Sequence, residues 1–309
     1  MATNELLPFA TANTNVLTQA EYSADSQRTS GNVPGVASSK LVNKAARQAA
    51  YAANMIGQFV VDGSGQDVLD DGNAAVFLAN YKTAVGVLTP GRLLNVQTFK
   101  TPGASTYTPT PGVKFRVIEV LAGGGQGGGA EFDTVSSTMS TAAGGGAGAY
   151  GVLYLAGAAT SVTVTVGAGG TGATTGTGVS GGSSSFGSLL TCAGGTGGQF
   201  GRSATIPTAG PTLPGGDGGA TVTGATVGNP GAPGLTGAYL NAGVTSGMGG
   251  STRYGAGGNS RSTSTAVAQA GNPGQGFGSG GSGAARVGVG SNQVGGAGAP
   301  GVVIVWEYS

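Results

Sequence analysis

The sequence predicts an α + β multidomain protein. A helical N-terminal region spans residues 1–90 and an extended linker spans 91–112. A glycine-rich domain over 113–309 is expected as an antiparallel β-sandwich-like body braced by polyglycine II helices. Three observations carry this expectation. Of 66 glycines in 309 residues, 10 lie in 1–120 and 56 in 121–309. Of the 25 charged residues, 17 lie in the first stretch and 8 in the second. Helical periodicity is confined to the region before residue 90, whereas period-two apolar strands occur only after it.

In order from the N-terminus, the first dozen residues carry Pro8, Thr11 and Asn13 and read as an extended arm. Thr18-Gln19-Ala20-Glu21 has the capping-box form and starts a short helix ending by Gly31. Ser38 or Ser39 caps a longer helix to about Asp62, with Leu41, Ala45, Ala52, Met55, Ile56 and Phe59 forming a narrow alanine-rich stripe. A third helix is expected from about Ala74 to Ala84. So little apolar bulk cannot make a core alone, and packing of copies around a symmetry axis, as a homotrimer, is the economical solution.

Leu93–Phe99 alternates and is β-like, and Lys114–Val120 is a half-buried strand. Gly151–Leu155, Ser161–Val166 and Ser185–Cys192 follow as strands. The last strand, Val302–Tyr308, is nearly continuous apolar sequence and holds the only tryptophan. It needs neighbours on both sides, so the tract before it is expected to be enclosed in a fold rather than to behave as flexible coil. In regular helices or strands, 56 glycines would cost on the order of 30–50 kcal/mol, so they must occupy places where only glycine fits. Gly228, Gly231, Gly234 and Gly237 recur every third residue with Pro230 and Pro233 between them, which is the polyproline II period. Less glycine-rich segments at 131–143, 199–213, 238–247, 259–270 and 284–293 read as loops at the ends of a bundle.

Several chemistries are excluded by count. Without histidine there is no Ser-His-Asp triad and no HExxH zinc site. One cysteine permits neither an intrachain disulfide nor a CxxC cage, and Cys192 is expected to pack as a small hydrophobe. A net charge of +1 argues against nucleic acid. No secretory signal and no run long enough to span a membrane is found. Gly123-Gly124-Gly125-Gln126-Gly127-Gly128 satisfies GxGxxG, but glycine abundance alone generates that pattern and no helix follows it. Glu131 and Asp133 would share a face if extended, yet lack the partner a glycosidase needs and read as a solvated loop. Asp67, Asp70 and Asp71 miss the calcium-loop spacing and read as helix caps. No catalytic residue, cofactor or metal is expected.

The large side chains on the end loops are the candidates for recognition: Phe200, Arg202, Tyr239, Arg253, Tyr254, Arg261 and Arg286. Arginine and aromatic groups supply the contact area and planar hydrogen bonding that concentrate binding energy.

Some segments resemble a known family. Leu6-Leu7-Pro8-Phe9-Ala10-Thr11, Asn15-Val16-Leu17 and Ser64-Gly65-Gln66-Asp67-Val68-Leu69-Asp70-Asp71-Gly72 resemble the N-terminal region of tail-fibre proteins from tailed bacteriophages and prophages. Phe99-Lys100-Thr101-Pro102-Gly103, Tyr107-Thr108-Pro109, Val120–Gly125, Gly181–Ser188 and Gly301–Tyr308 are similar to parts of their glycine-rich C-terminal domain. The resemblance implies a trimeric protein of the virion tail, assembled in the host cytoplasm. Its N-terminus would dock on tail or baseplate proteins. Its distal loops would bind a bacterial surface polysaccharide, pilus or outer-membrane protein. A purely structural tail component is the competing expectation.

Overall fold

The computed structural model describes residues 2–31, 34–88, 91–157, 160–172, 175–205, 213–241 and 243–309. The chain forms two compact units, Met1–Arg92 with Ser309, and Leu93–Tyr308.

The first unit is helical. α1 (Gln19–Ala24) opens on the expected capping box: Thr18 Oγ1 accepts the Glu21 N–H at 3.3 Å while the Glu21 carboxylate accepts the Thr18 N–H at 2.7 Å. The single helix expected to Gly31 is interrupted at Asp25, which is extended, and resumes as α2 (Gln27–Ser30). The Asp25 carboxylate accepts the Gln27 N–H at 2.8 Å, the local competition that aspartate offers to helix continuation. α3 (Ser39–Ser64) ends where Gly65 turns left-handed at φ +68°. α4 (Ala74–Leu88) starts with the Asn73 side chain accepting the Val76 N–H at 3.3 Å.

The extended arm is tied to α3 by two amides. Asn4 donates to the Asn54 carbonyl at 3.0 Å, and Asn54 donates to the Leu6 carbonyl at 2.7 Å. Val60, Val61 and Val68 form a small core with Ala2, Leu6 and Phe77. Asp67 does not cap a helix; it accepts the N–H and hydroxyl of Thr3 at 2.7 and 2.9 Å. Leu41 of the expected stripe is buried, whereas Met55, Ile56 and Phe59 are exposed. Val42, Ala45, Ala49, Ala52, Ile56 and Phe59 are separated by three or four residues and are all exposed. No helix of the described residues is long and apolar enough to cross a membrane.

Among the described residues the second unit consists of strands, turns and extended chain. Its strands in order are β1 (Leu93–Phe99), β2 (Gly103–Tyr107), β3 (Phe115–Leu121), β4 (Thr138–Thr141), β5 (Tyr150–Ala156) and β6 (Val162–Val166). Next come β7 (Ser184–Phe186), β8 (Leu190–Cys192), β9 (Ala204–Thr205), β10 (Val222–Thr223), β11 (Val227–Asn229) and β12 (Ala238–Leu240). β13 (Gly243–Thr245), β14 (Ser262–Thr263), β15 (Ala268–Gln269), β16 (Ala285–Val287) and β17 (Val302–Tyr308) complete the set.

Two antiparallel sheets, ordered β1-β17-β3-β5-β11 and β10-β8-β7-β6-β2, face each other. Ile118, Val120, Val303 and Val305 from one meet Val164, Val166, Phe186, Leu190 and Cys192 from the other. As its apolar sequence requires, β17 is paired on both edges, by β1 and by β3. Residues 91–112 are therefore not a linker between bodies. They supply β1, which covers β17, and β2, whose Tyr107 is fully buried between the sheets. Ser185–Cys192 is likewise not one strand, because Gly187 at φ +54° turns it into the β7–β8 hairpin.

The glycine-rich stretches run as extended chain away from this sandwich, joined by backbone hydrogen bonds with a three-residue step. The N–H groups of Gly123, Gln126 and Gly129 donate to the carbonyls of Gly182, Val179 and Gly176. Those of Gly124, Gly127 and Ala130 donate to Ala299, Gly296 and Gln293, and those of Ala122, Gly125 and Gly128 to Ala149, Gly146 and Ala143. The carbonyls of the same stretch accept from Gly195, Gly198 and Gly201, from Gly281 and Ala284, and from Gly170. Segment 122–130 is thus bonded to six neighbours, and residues 121–130 are all buried. A Cβ on Gly125 or Gly128 would collide with the carbonyl of Thr196 or Gln199, so backbones approach at a distance only glycine allows.

At the ends away from the sandwich lie two small sheets, β15-β16-β4-β9 and β12-β13-β14. The five segments expected as end loops carry these short strands. Residues 206–212 of the 199–213 segment lie outside the described residues.

Candidate functional site

The seven candidate residues do not converge on one surface. Arg253 and Tyr254 sit beside the sandwich, whereas Phe200, Arg202, Tyr239, Arg261 and Arg286 belong to the far end.

Beside the sandwich, Thr252–Gly255 forms a tight turn closed by the Thr252 N–H on the Gly255 carbonyl at 2.8 Å and pinned by the Thr252 hydroxyl on the Phe277 carbonyl at 2.7 Å. The turn lays Arg253 over two rings, 4.9 Å from the centre of Tyr150 and 5.2 Å from that of Tyr254. Beneath lies Glu119 of β3. Its Oε2 accepts the hydroxyls of Tyr150 at 2.7 Å and Tyr254 at 2.5 Å, and its Oε1 accepts the Trp306 indole N–H at 3.1 Å. Arg253 Nη1 donates to the Tyr150 hydroxyl and stands 3.8 Å from Glu119 Oε2. Burial works to raise the Glu119 pKa, but the Tyr254, Tyr150 and Trp306 donors outweigh it and the carboxyl titrates below its ordinary value. The same burial, with the carboxylate beside it, pushes the Tyr254 hydroxyl up to about 12. The carboxylate is 14% exposed and held by the core side, while the Arg253 side chain is 58% exposed. Next to it opens a groove of about 480 Å³, lined by Leu121, Tyr150, Asn229, Pro230, Ala232 and Arg253 among others.

At the far end Arg286 is fully buried, contrary to its expected place on a contact loop. Its Nε donates to the Glu131 carbonyl at 2.6 Å, Nη2 to the Ser203 hydroxyl at 3.0 Å, and Nη1 to the Gly288 carbonyl. Ser203 in turn donates through its hydroxyl to Asp133 and through its N–H to Glu131. Glu131 and Asp133 are half-buried residues of a partly solvated loop. They anchor the loop network around Arg286, and the Ser203 hydroxyl holds the Asp133 carboxyl down to about 2. A buried cation needs such partners, so Arg286 ties β16 to the loops at Glu131 and Ser203 and is not displayed on the surface.

Tyr239 is half-buried against Met139, Val244, Ala285 and Val287, and its hydroxyl donates to the Arg202 carbonyl at 2.9 Å. Arg261 spends its Nε on the Ala270 carbonyl at 3.0 Å. Arg202 is exposed and Phe200 half-buried. Sequence reasoning missed an apolar set on the same end: Phe132, Val135, Leu240, Val267 and Val289 are all exposed. Their signal was available, since each is a large apolar residue inside an otherwise polar end segment. Cys192 is buried as expected, and lack of solvent pushes its thiol up to about 12, which makes it a poor nucleophile.

Comparison with known proteins gives one family. The family model of a glycine-rich domain matches residues 100–308. No curated protein matches the sequence.

Proposed function

The chain belongs through residues 100–308 to the glycine-rich domain family, and from that premise we propose that it is a phage tail-fibre or tail-tip protein that binds a bacterial surface receptor. The observation that carries this reading is the division of labour in the second unit. Its extended segments present backbone and hydrogen to one another, while large side chains are displayed where those segments end. A stiff frame with displayed loops loses little ordering entropy on binding. Exposed apolar side chains gathered on one end, here Phe132, Val135, Leu240, Val267 and Val289 with Arg202, are the mark of an interaction surface.

Two finer features belong to the same proposal. The three-residue hydrogen-bond step and six-neighbour surroundings of segment 122–130 support polyglycine II helices in a lattice. The exposed seam Val42, Ala45, Ala49, Ala52, Ile56 and Phe59 has heptad spacing and supports a homotrimer packed along α3. In this reading the first unit docks on tail or baseplate proteins.

The test is binding of the fluorescently labelled full chain to a panel of bacterial strains. On a strain that binds it, Arg202→Ala combined with Phe132→Ser and Val289→Ser should lower binding at least tenfold, about 1.4 kcal/mol or more. Exposed substitutions of this kind leave folding intact to within ~0.5 kcal/mol. Unchanged binding would remove receptor contact from the far end and leave a structural tail component.

A further inference from the structure

We infer that the groove beside Arg253 is a binding subsite for the carboxylate of an acidic sugar, such as a hexuronic acid unit of a surface polysaccharide. This deepens the receptor reading by naming a ligand class, at a place separate from the far-end loops.

The argument starts from what holds Arg253. Among the described residues its Nη1 alone has a hydrogen-bond acceptor, the Tyr150 hydroxyl. Two tyrosine rings lie against the guanidinium, 4.9 and 5.2 Å away, and with the Tyr150 hydrogen bond hold its orientation before any ligand arrives. Nε and Nη2 are left without a protein acceptor on a side chain that is 58% exposed and lines the groove. A planar guanidinium with two free donors matches a carboxylate fork to fork.

The rest of the lining selects the body that carries the carboxylate. Pro230 and Ala232, both exposed, give apolar surface for the hydrophobic face of a pyranose ring. Asn229, exposed on the same groove, offers an amide that can both donate to and accept from ring hydroxyls. A volume of about 480 Å³ lies within the range of small-molecule sites, ~300–1,000 Å³. Glu119, 3.8 Å behind Arg253, sets the charge the site accepts. The ionised pair carries no net charge, which disfavours a doubly charged phosphate relative to a monoanion, and the preference for a sugar acid rests on the Arg253 fork and the exposed apolar lining.

The experiment titrates the full chain with glucuronate, glucose and inorganic phosphate, read by ligand-observed NMR. Glucuronate should bind saturably with millimolar affinity, and glucose and phosphate at least tenfold more weakly. Arg253→Met, which keeps the stem and removes the fork, should weaken glucuronate at least tenfold while Trp306 fluorescence and the unfolding midpoint stay unchanged. If that variant loses the Trp306 signal, Asn229→Ala decides, because Asn229 is outside the Glu119 network; it should weaken glucuronate severalfold. Equal binding of glucose and glucuronate, preference for phosphate, or full binding by both variants would each overturn the inference. Arg202→Ala should leave glucuronate binding intact. Loss of strain binding there with sugar binding kept, or the reverse in Arg253→Met, separates failure of one reading from failure of the other.

Discussion

Replacing Gly127 by alanine tests the close-packed interior of the second unit directly. Gly127 lies inside segment 122–130, and a Cβ there would fall onto the carbonyl of Ser282 and within 2.8 Å of the Gly283 nitrogen. Both are backbone atoms, so no side chain can swing aside. Ordinary carbon contacts are ~3.5–4.0 Å, and the neighbouring segment has to retreat by more than about 1 Å. That retreat loosens four bonds of 2.8–3.0 Å: Gly127 to Gly296, Gly296 to Ser282, Ala284 to Gly128 and Gly281 to Gly125. At a net ~0.5–1.5 kcal/mol each, the loss is about 4 kcal/mol. The matched control is Gly129→Ala, whose Cβ meets the Gln293 carbonyl oxygen at 3.0 Å and nothing else closer than 3.6 Å. There a few tenths of an ångström suffice, and the reduced freedom of the unfolded chain returns ~0.4–1 kcal/mol. That unfolded-chain term is common to both variants and cancels, so urea unfolding of the full chain, followed by Trp306 fluorescence, should separate them by about 4 kcal/mol. Equal stability within ~0.5 kcal/mol would refute the claim that these backbones touch at glycine-only distance.

Three further outcomes follow from the same structure. Glu307 is buried and accepts from Tyr107, from the Thr110 N–H and hydroxyl, and from Gln97; burial raises its pKa, but these donors bring it below its ordinary value. Its stabilisation is thus complete above the unfolded carboxylate pKa, ~4.3, and is lost as pH falls through the lower folded value; Glu307→Gln should cost ~2–3 kcal/mol at pH 7 and reduce that acid dependence in denaturant titrations. Arg286→Met removes the cation from a fully buried network and should cost about 3 kcal/mol, seen as faster proteolysis within 131–141 or 285–292. Ile56→Asp places a charge in the exposed α3 seam and should convert a trimer to monomers in sedimentation without loss of helical circular dichroism; a variant that sediments like the parent would remove the seam from assembly.

What was legible in the sequence is what neighbouring residues decide among themselves. The Thr18/Glu21 box spans three positions, and β17 declares its burial by seven consecutive residues. The Arg253 site was half legible. Arg253 and Tyr254 stood out as large side chains in a tract of small ones, but Glu119 read only as one polar position of a strand. Its partners Tyr150, Tyr254 and Trp306 lie 31, 135 and 187 residues away, and no local pattern announces them. Arg286 misled for a definable reason. Its charge points to exposure, whereas its neighbours in Ala284-Ala285-Arg286-Val287 are residues that favour burial.

The glycine tract carries more information than its abundance suggests, because in three of its segments the spacing of the glycines follows where the segment lies. In the proposed polyglycine II reading, with three residues per turn, each position faces its own direction. In 230–237, Gly231, Gly234 and Gly237 would all meet carbonyls of 142–148 if given a Cβ, while Pro230, Ala232, Pro233, Leu235 and Thr236 are exposed. The segment also bonds to Gly216, Gly219 and Met248, but only its glycine positions would bring a Cβ onto a neighbouring carbonyl, and Pro230 and Pro233 lose nothing by lacking an N–H where the chain is exposed. Segment 122–130, with neighbours on every side, reads Ala-Gly-Gly-Gly-Gln-Gly-Gly-Gly-Ala and is small at every position but Gln126. Segment 142–149 reads Ala-Ala-Gly-Gly-Gly-Ala-Gly-Ala and is equally buried throughout. Among these three segments the strict triplet lies at the edge, and the two that are glycine and alanine at nearly every position lie at the centre. The pattern is not a rule for every segment, since 278–284 is buried throughout with Ser279 and Ser282 in it, while the glycine/alanine run 295–299 is half-buried at Ala297 and Gly298; depth is set by which segments become neighbours, and that is not written in local spacing.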